Sequence, residues 1–303
     1  MEAKHYRDHL LASVKSIDLI LQGRAEAAIA SARRSYEVAV EVGDENLVGA
    51  ALSDLGSAFV LAGRGEETVS TLADWLSSSS DPYVSFRLSQ SLANHYRFLE
   101  EPDLAKHKRY SSQAYDHAER TSLVVSRACA RHEIGYAFLA EASFQAAQEL
   151  FYDALRLLRK RPERSIMIPP YLATLGFSLS QSGDHAEGVR VLCHSVGMAR
   201  SEGVPSNELP PRIYLASAML DMRRPRDAEF HLRVALRLDR FVSLGASWAP
   251  KILHLLGDAL KMQRRSREAF DIFRKLQTDF YPEQEGLAEI LMEVEARRRI
   301  AVL

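Results

Sequence analysis

The sequence predicts an all-α fold of stacked helical hairpins, and three observations predict it. An apolar residue followed by a small one recurs along the chain, with successive copies 37, 42, 41, 40 and 41 residues apart. All eleven prolines fall at or near the starts, ends or connections of predicted helices, where a missing N–H is tolerated. No long segment alternates apolar and polar residues as a strand would. The small members of the recurring pair are Gly56, Ala93, Gly135, Gly176, Ala216 and Gly257.

A repeat of this length is typical of a solenoid, in which each hairpin buries its apolar face by stacking on its neighbours. Stacking removes the size limit of a single spherical core, and no Pro/Gly/Ser-rich linker divides the 303 residues. We therefore expect one continuous domain, 1–303. Its predicted hairpins lie near residues 5–43, 45–80, 82–120, 122–162, 166–204, 208–243 and 246–282, followed by a terminal helix at 283–302.

The fourth hairpin has the clearest pattern, in the segment IGYAFLAEASFQAAQELFYDA. A small residue, Gly135, lets the paired helix approach closely, and aromatic residues fill the gaps beside it. This segment resembles a tetratricopeptide repeat. The residues that carry the resemblance are Ile134, Gly135 and Phe138 in the first helix and Phe144, Ala147, Phe151 and Ala154 in the second.

The resemblance implies a right-handed α-α superhelix of about seven helical hairpins plus a C-terminal helix. The period of about 40 residues is longer than the common repeat of this family and is similar to the long-repeat type found in kinesin light chain and in bacterial regulators. Pro169, Pro170, Pro210 and Pro211, expected at the starts of first helices, indicate that connections supply part of the extra length.

Two hairpins depart from the pattern. The third carries Arg109 where an apolar residue is expected, and the second ends its second helix with Trp75 in place of a small residue. The interval between these two hairpins contains Ser77–Ser80 followed by Asp81 and Pro82, which cannot continue a helix well. Either a hinge or a plain solvated turn fits this segment.

The net charge and the cysteines limit the partners and the cellular location that fit this sequence. The formal net charge is −1, which gives no electrostatic reason to expect nucleic acid or a membrane surface as the main partner. Arginine-rich stretches in the second half fit solvated helix ends or a contact with an acidic or phosphate-bearing partner. Cys129 and Cys193 form no CxxC pair, and the N-terminal residues resemble neither a signal peptide nor a membrane span. We expect a cytoplasmic protein.

Catalytic motifs are missing from the sequence. It contains no GxSxG, GxxxxGK[ST] or HExxH pattern, and the ten histidines are scattered. His107 and His117 share a predicted helix but are too far apart to hold one ion. The sequence therefore predicts no enzyme, no cofactor and no metal site.

The resemblance implies a concave groove lined by first helices, with Asn pairing to an extended peptide backbone and Arg holding a carboxylate. The lysine-rich clamp of chaperone-binding members of the family is missing. A second polar patch lies far along the chain, at Lys251, His254, Asp258 and Lys261. The predicted peptide-binding groove residues are Arg87, Gln90, Asn94, Arg97, His132, Tyr136 and Phe177, with Ser180 beside them.

Two functions follow from the resemblance. The first is a scaffold that holds a protein or peptide segment in the groove. The second is the regulatory or sensor region of a bacterial-type signalling protein or transcription regulator, whose C-terminal helix passes the signal to an output domain or partner. That helix, with Leu287, Ile290, Leu291, Val294 and Ala301 on one face, is expected either to cap the last hairpin or to form a homodimer.

Overall fold

The computed structural model describes residues 2–22, 24–99, 101–159, 166–240, 242 and 248–293, and every regular element within them is helical. This confirms the predicted all-α class. The helices are α1 Glu2–Leu21, α2 Ala25–Val42, α3 Glu45–Leu61, α4 Glu66–Ser78, α5 Pro82–Arg97, α6 Leu104–Glu119, α7 Val124–Ala140, α8 Phe144–Leu158, α9 Ile168–Gln181, α10 His185–Glu202, α11 Pro205–Asp221, α12 Pro225–Asp239, α13 Ala249–Met262, α14 Ser266–Phe280 and α15 Leu287–Glu293.

Successive helices pair as hairpins and divide into two compact units. The first unit contains α1 to α8, where α3 contacts α5 and α5 contacts α7, so that first helices of neighbouring hairpins lie side by side. The second unit begins at Leu172, within α9, and contains α10 to α15, with α15 packed on α14. The single continuous domain 1–303 stays a prediction.

Aspartates begin several of these helices. Asp44 precedes α3 and accepts hydrogen bonds from the backbone N–H groups of Asn46 and Leu47, and Asp81 does the same for Tyr83 and Val84 at the start of α5. These bonds satisfy amides that have no partner within the helix. Asp81 therefore ends the Ser77–Ser80 segment with an ordinary helix cap, and the hinge there stays a hypothesis.

Glycine contacts hold the two helices of a hairpin together. A Cβ built on Gly135 would lie 2.5 Å from Phe151 Cε1, and one on Gly257 would lie 2.2 Å from Phe273 Cε1. Each partner follows its glycine by 16 residues, and both partners are fully buried. The same spacing brings Gly56 against Leu72 and Gly176 against Leu192. These contacts are the physical cause of the recurring sequence pattern.

The third hairpin departs from this spacing because its connection is longer. Residues 98–103 join α5 to α6, whereas 141–143 join α7 to α8. The insertion shifts the register of α6, so Arg109 is exposed and does not occupy the expected apolar position. The buried side of α6 carries small and polar residues instead, namely His107, Ser111, Ala114 and Ala118.

Other sequence expectations need correction. Pro210 and Pro211 lie inside α11, because that helix begins earlier, at Pro205, whose fixed φ suits a first helical position. Cys193 is exposed. The terminal helix is described only as α15, and the part of the predicted helix that contains Val294 and Ala301 lies outside the described residues.

Candidate ligand-binding site

Four predicted groove residues share one face of α5. Arg87, Gln90, Asn94 and Arg97 are spaced by three, four and three residues, which places them on neighbouring turns of one helix face. All four are partly buried. Arg97 Nη2 donates to Asn94 Oδ1 at 2.9 Å, so the C-terminal pair of this row forms one polar unit.

Arg97 links α5 to α7 through ring faces and a carboxylate. Its guanidinium carbon lies 4.2 Å from the centroid of the Tyr136 ring and 4.5 Å from that of Phe98. Its Nη1 lies 3.3 Å from Glu133 Oε1, and its side chain is 12% exposed. Contacts with two rings fix the plane of a guanidinium and strengthen its interaction with the ring electrons.

A buried carboxylate stabilises this arginine from below. Glu133 forms an ion pair with Arg97 and lies 2.9 Å from Nε2 of His107, whose side chain is fully buried. Burial by itself would raise the pKa of Glu133, but the Arg97 charge and the His107 hydrogen bond outweigh it and lower that pKa to about 2. Glu133 is therefore ionised at neutral pH and balances the charge of Arg97.

Sequence reasoning did not select Glu133 or His107. The available signals were a carboxylate directly before Ile134 of the repeat pattern, and a histidine at core spacing from Ser111 on α6. Neither signal identifies a partner without the fold.

Arg87 lies at the other end of the row, where its donors are already engaged. Arg87 Nη2 pairs with Asp54 on α3, and Nη1 donates to the hydroxyl of Tyr83 at 3.1 Å. Asp54 in turn accepts from Ser13 Oγ of α1 at 2.6 Å. The result is a polar connection across the first helices α1, α3 and α5.

His132 belongs to an aromatic cluster. Its ring stacks on Tyr171 with centroids 3.8 Å apart and planes at 2°, and it meets Tyr136 edge-on at 4.9 Å. Burial is the main cause that lowers the pKa of His132, to about 3, so the imidazole is neutral at physiological pH. Its position supports the Tyr136 ring, which in turn contacts Arg97.

Phe177 lies in the second unit and is 7% exposed, with its ring centroid 4.7 Å from that of Tyr214. The structure thus brings together Asn94, Arg97, His132 and Tyr136, whereas Phe177 packs in the interior of its own unit. Ser180 is also buried, with its hydroxyl 3.1 Å from His185 Nδ1.

The polar patch of the second unit lies on α13. His254 Nε2 is 3.5 Å from Asp258 Oδ2, and Lys261 Nζ donates to the carbonyl of Leu291 at 2.7 Å. Burial lowers the pKa of Lys251 to about 7, and its Nζ lies 5.7 Å from the Trp248 ring centroid. These residues form separate local pairs.

A cleft of about 330 Å³ opens between the second helices α4 and α6. Leu76 and Tyr110 supply its apolar wall, and Arg109, Gln113 and His117 supply polar groups. It lies on the second helices of the hairpins, whereas the predicted groove residues of this unit lie on the first helices.

Two negative findings apply to the part of the chain described above. Its His, Cys, Asp and Glu side chains form no group of three that could hold a metal ion. No helix in it combines the length and the apolar character needed to cross a membrane.

Comparisons with known proteins establish the fold. No protein-family model matches the sequence, and no curated protein sequence matches it. Among solved structures, a Rap protein complexed with competence and sporulation factor has a TM-score of 0.68 at 11% identity, covering 94% of this chain and 80% of that one.

Two further structures extend the comparison. A tetratricopeptide repeat protein from Parabacteroides merdae has a TM-score of 0.56 at 15% identity, covering 94% of this chain and 98% of that one. The Rap conjugation gene regulator of plasmid pLS20, in complex with a Phr* peptide, has a TM-score of 0.57 at 12% identity. The match covers 94% of this chain and 78% of that one. These likenesses, all at low sequence identity, show that the chain shares a fold of stacked helical hairpins with these proteins.

Proposed function

We propose that this chain is a non-catalytic scaffold that binds a peptide or protein segment along α5 and α7. The observation that carries the proposal is the state of Arg97. Its guanidinium contacts both the Tyr136 and the Phe98 rings, and its Nε and Nη1 are buried and make no hydrogen bond with any described residue, although Nη1 forms the ion pair with Glu133. Buried donors without a hydrogen-bond partner are costly, so a ligand oxygen that reaches this guanidinium as the rings over it shift would satisfy them, with little further loss of conformational freedom.

The charge balance indicates which ligand oxygens fit. Because Glu133 already offsets the charge of Arg97, a neutral main-chain carbonyl fits this position better than a phosphate, whose negative charge would be added beside the buried Glu133 carboxylate. Asn94 adds an amide that can pair with a peptide group. An extended peptide offers such groups at regular intervals, and one of the similar structures is itself a complex with a Phr peptide.

The test is affinity capture of partners with the full chain. The binding variant combines Asn94→Ala with Arg97→Lys, which removes the amide and the planar fork but keeps a cation beside Glu133. The matched control is Arg159→Ala, an exposed arginine that follows α8. Partners recovered with the wild type and the control but lost with the double variant support the proposal, and equal recovery by all three contradicts it.

A second candidate function is regulation. One of the similar structures is a gene regulator bound to a peptide, which favours a role in which binding changes the hairpin stack and the C-terminal helix transmits the change. Hydrogen exchange with and without a captured partner distinguishes the two. In a regulator, partner binding is expected to change hydrogen exchange in α15 as well as in α5 and α7. In a passive scaffold, binding changes exchange only in α5 and α7.

We further propose that the chain acts in the cytoplasm, where cysteines stay reduced. Neither Cys129 nor Cys193 forms a disulfide with a described residue. Fractionation of the source cells with an antibody against the chain tests this, and recovery in the secreted fraction contradicts it.

A further inference from the structure

Helix α1 has one buried side. His9, Ser16 and Leu19 are at most 5% exposed, and Ser16 Oγ donates to the carbonyl of Ala28 on α2 at 3.2 Å. The Leu19 side chain joins a core cluster with Phe59 of α3. This side attaches α1 to the first unit, so the helix has a fixed orientation.

The opposite side of α1 is apolar and exposed. Tyr6, Leu10, Val14 and Ile17 form an apolar stripe whose members are 50%, 43%, 63% and 44% exposed, and Leu11 beside it is 62% exposed. These are five of the twelve exposed large hydrophobic residues in the described part of the chain. Single exposed apolar residues are ordinary on a protein surface, but a continuous group of them marks an interaction surface.

The charges beside the stripe indicate its partner. Lys4, Asp8, Leu11, Lys15 and Asp18 are spaced by four, three, four and three residues, so they form a charged row along one edge of the stripe. Its order is positive, negative, leucine, positive, negative. Read in the opposite direction, every charge changes sign, so the row is complementary to itself when reversed.

The contacts that these charged residues make within the chain are weak, so the row can pair with a second molecule. Asp8 has an ion pair with Arg7 at 3.7 Å, and Asp18 accepts from Gln22 at 2.7 Å. Both contacts join near neighbours in the sequence at the surface, where such pairs contribute little stability. Lys4 and Lys15 are exposed.

We propose that two copies of this chain associate through α1 in an antiparallel arrangement, with a two-fold axis close to Leu11. Lys4 then faces Asp18 of the partner subunit, Asp8 faces Lys15 of the partner subunit, and the apolar stripes of both copies are buried together. Each contact occurs twice, as a two-fold interface requires. In a parallel arrangement each charged residue would face the same residue, with the same charge, in the other copy. The parallel arrangement is therefore disfavoured.

The first test is the molar mass of the full chain in solution, measured by light scattering during gel filtration. The wild type is expected at twice the chain mass of 34.0 kDa. Val14→Asp should give the monomer mass, whereas Phe230→Asp should leave the dimer intact, because Phe230 has the same kind of exposure, 61%, on a different helix, α12. Circular dichroism melts confirm that both variants are folded.

A charge exchange tests the antiparallel register itself. Asp8→Lys and Lys15→Glu each place like charges together twice per dimer, and each should raise the dimer dissociation constant about tenfold or more. The double variant Asp8→Lys with Lys15→Glu restores both pairs and should recover dimerisation. Mixing the two single variants should give a heterodimer, because the lysine introduced at position 8 of one copy then meets the glutamate introduced at position 15 of the other.

Three outcomes would overturn the inference. They are a wild type that stays at the monomer mass at the highest concentration measured, a Val14→Asp variant that leaves the dimer unchanged, and a charge-exchanged double variant that remains folded but does not recover dimerisation. The first result would assign the stripe to a different partner, and the last would exclude the antiparallel register.

Discussion

Gly135 on α7 and Phe151 on α8 lie in direct contact, with a Cβ on Gly135 only 2.5 Å from Phe151 Cε1. No side chain fits between them unless the ring or the helices move. Since Phe151 is fully buried, the ring has little room to yield.

Gly135→Leu is therefore expected to destabilise the chain. Overpacking a buried contact lowers the free energy of unfolding by about 1–3 kcal/mol. Urea melts followed by circular dichroism measure the change, with Arg159→Ala as the control because its exposed side chain should alter stability by less than about 0.5 kcal/mol. Equal effects of the two substitutions would show that the α7–α8 contact is not close.

The turns between paired helices offer a stabilising substitution. Ala142, Arg223 and Arg264 adopt positive φ angles of 56°, 58° and 60°, at the turn position where Gly183 stands in another hairpin, with φ 101°. Residues other than glycine are strained at positive φ, because their Cβ atom approaches the backbone too closely. Arg264→Gly should raise the free energy of unfolding by about 0.5–1 kcal/mol, after the extra freedom of glycine in the unfolded chain is subtracted.

The control for that substitution is Arg159→Gly, at a position with an ordinary helical φ of −58°. There glycine relieves no strain and should lower stability. A loss of stability with Arg264→Gly, measured in the same melts, would contradict the interpretation of the turn.

His132 should make stability depend on pH. Its pKa in the folded chain is lowered to about 3 from 6.5, chiefly by burial, so below pH 6.5 the unfolded chain binds a proton that the folded chain does not. Stability is therefore expected to fall as the pH decreases from 6.5 towards 3, by up to about 1.4 kcal/mol per pH unit. His132→Phe, which keeps a ring beside Tyr171, should reduce this dependence in urea melts at pH 7 and pH 5. If stability differs between pH 7 and pH 5 by the same amount in the wild type and in His132→Phe, His132 is not the cause of the pH dependence.

The Arg97–Glu133 pair should behave as a coupled unit. Arg97→Ala leaves the buried Glu133 carboxylate without its cation, and removing one member of a buried ion pair typically costs about 3–5 kcal/mol. Adding Glu133→Gln removes the unpaired charge and should recover part of that loss. A double-mutant cycle in denaturant measures the coupling. Additive effects would mean that the two groups do not interact.

The sequence was sufficient to predict the structural features that repeat along the chain. Gly135 and Gly257 belong to a small-residue position that recurs about every 40 residues, and this period, together with the proline positions and the lack of a strand pattern, predicted the paired helices. It failed where the connection changed length, because residues 98–103 shift the register of α6 and leave Arg109, where the pattern expected an apolar side chain, exposed.

The candidate site was less predictable for the same physical reason. Asn94, Arg97 and Tyr136 could be placed on neighbouring first helices from the repeat. The Glu133 carboxylate that balances Arg97, and the stacking of His132 on Tyr171, depend on contacts between helices that no local pattern contains. The role of all these residues in ligand binding stays a prediction.

Calorimetry with a captured partner tests the central claim most directly. The affinity of that partner is measured for the wild type, for the Asn94→Ala and Arg97→Lys double variant, and for Arg159→Ala. If α5 and α7 hold the ligand, the double variant should lose about 2–4 kcal/mol of binding free energy, since it removes an amide pair and a charge-assisted hydrogen bond, and Arg159→Ala should lose none. Unchanged affinity in the double variant, with its fold intact, would contradict the account.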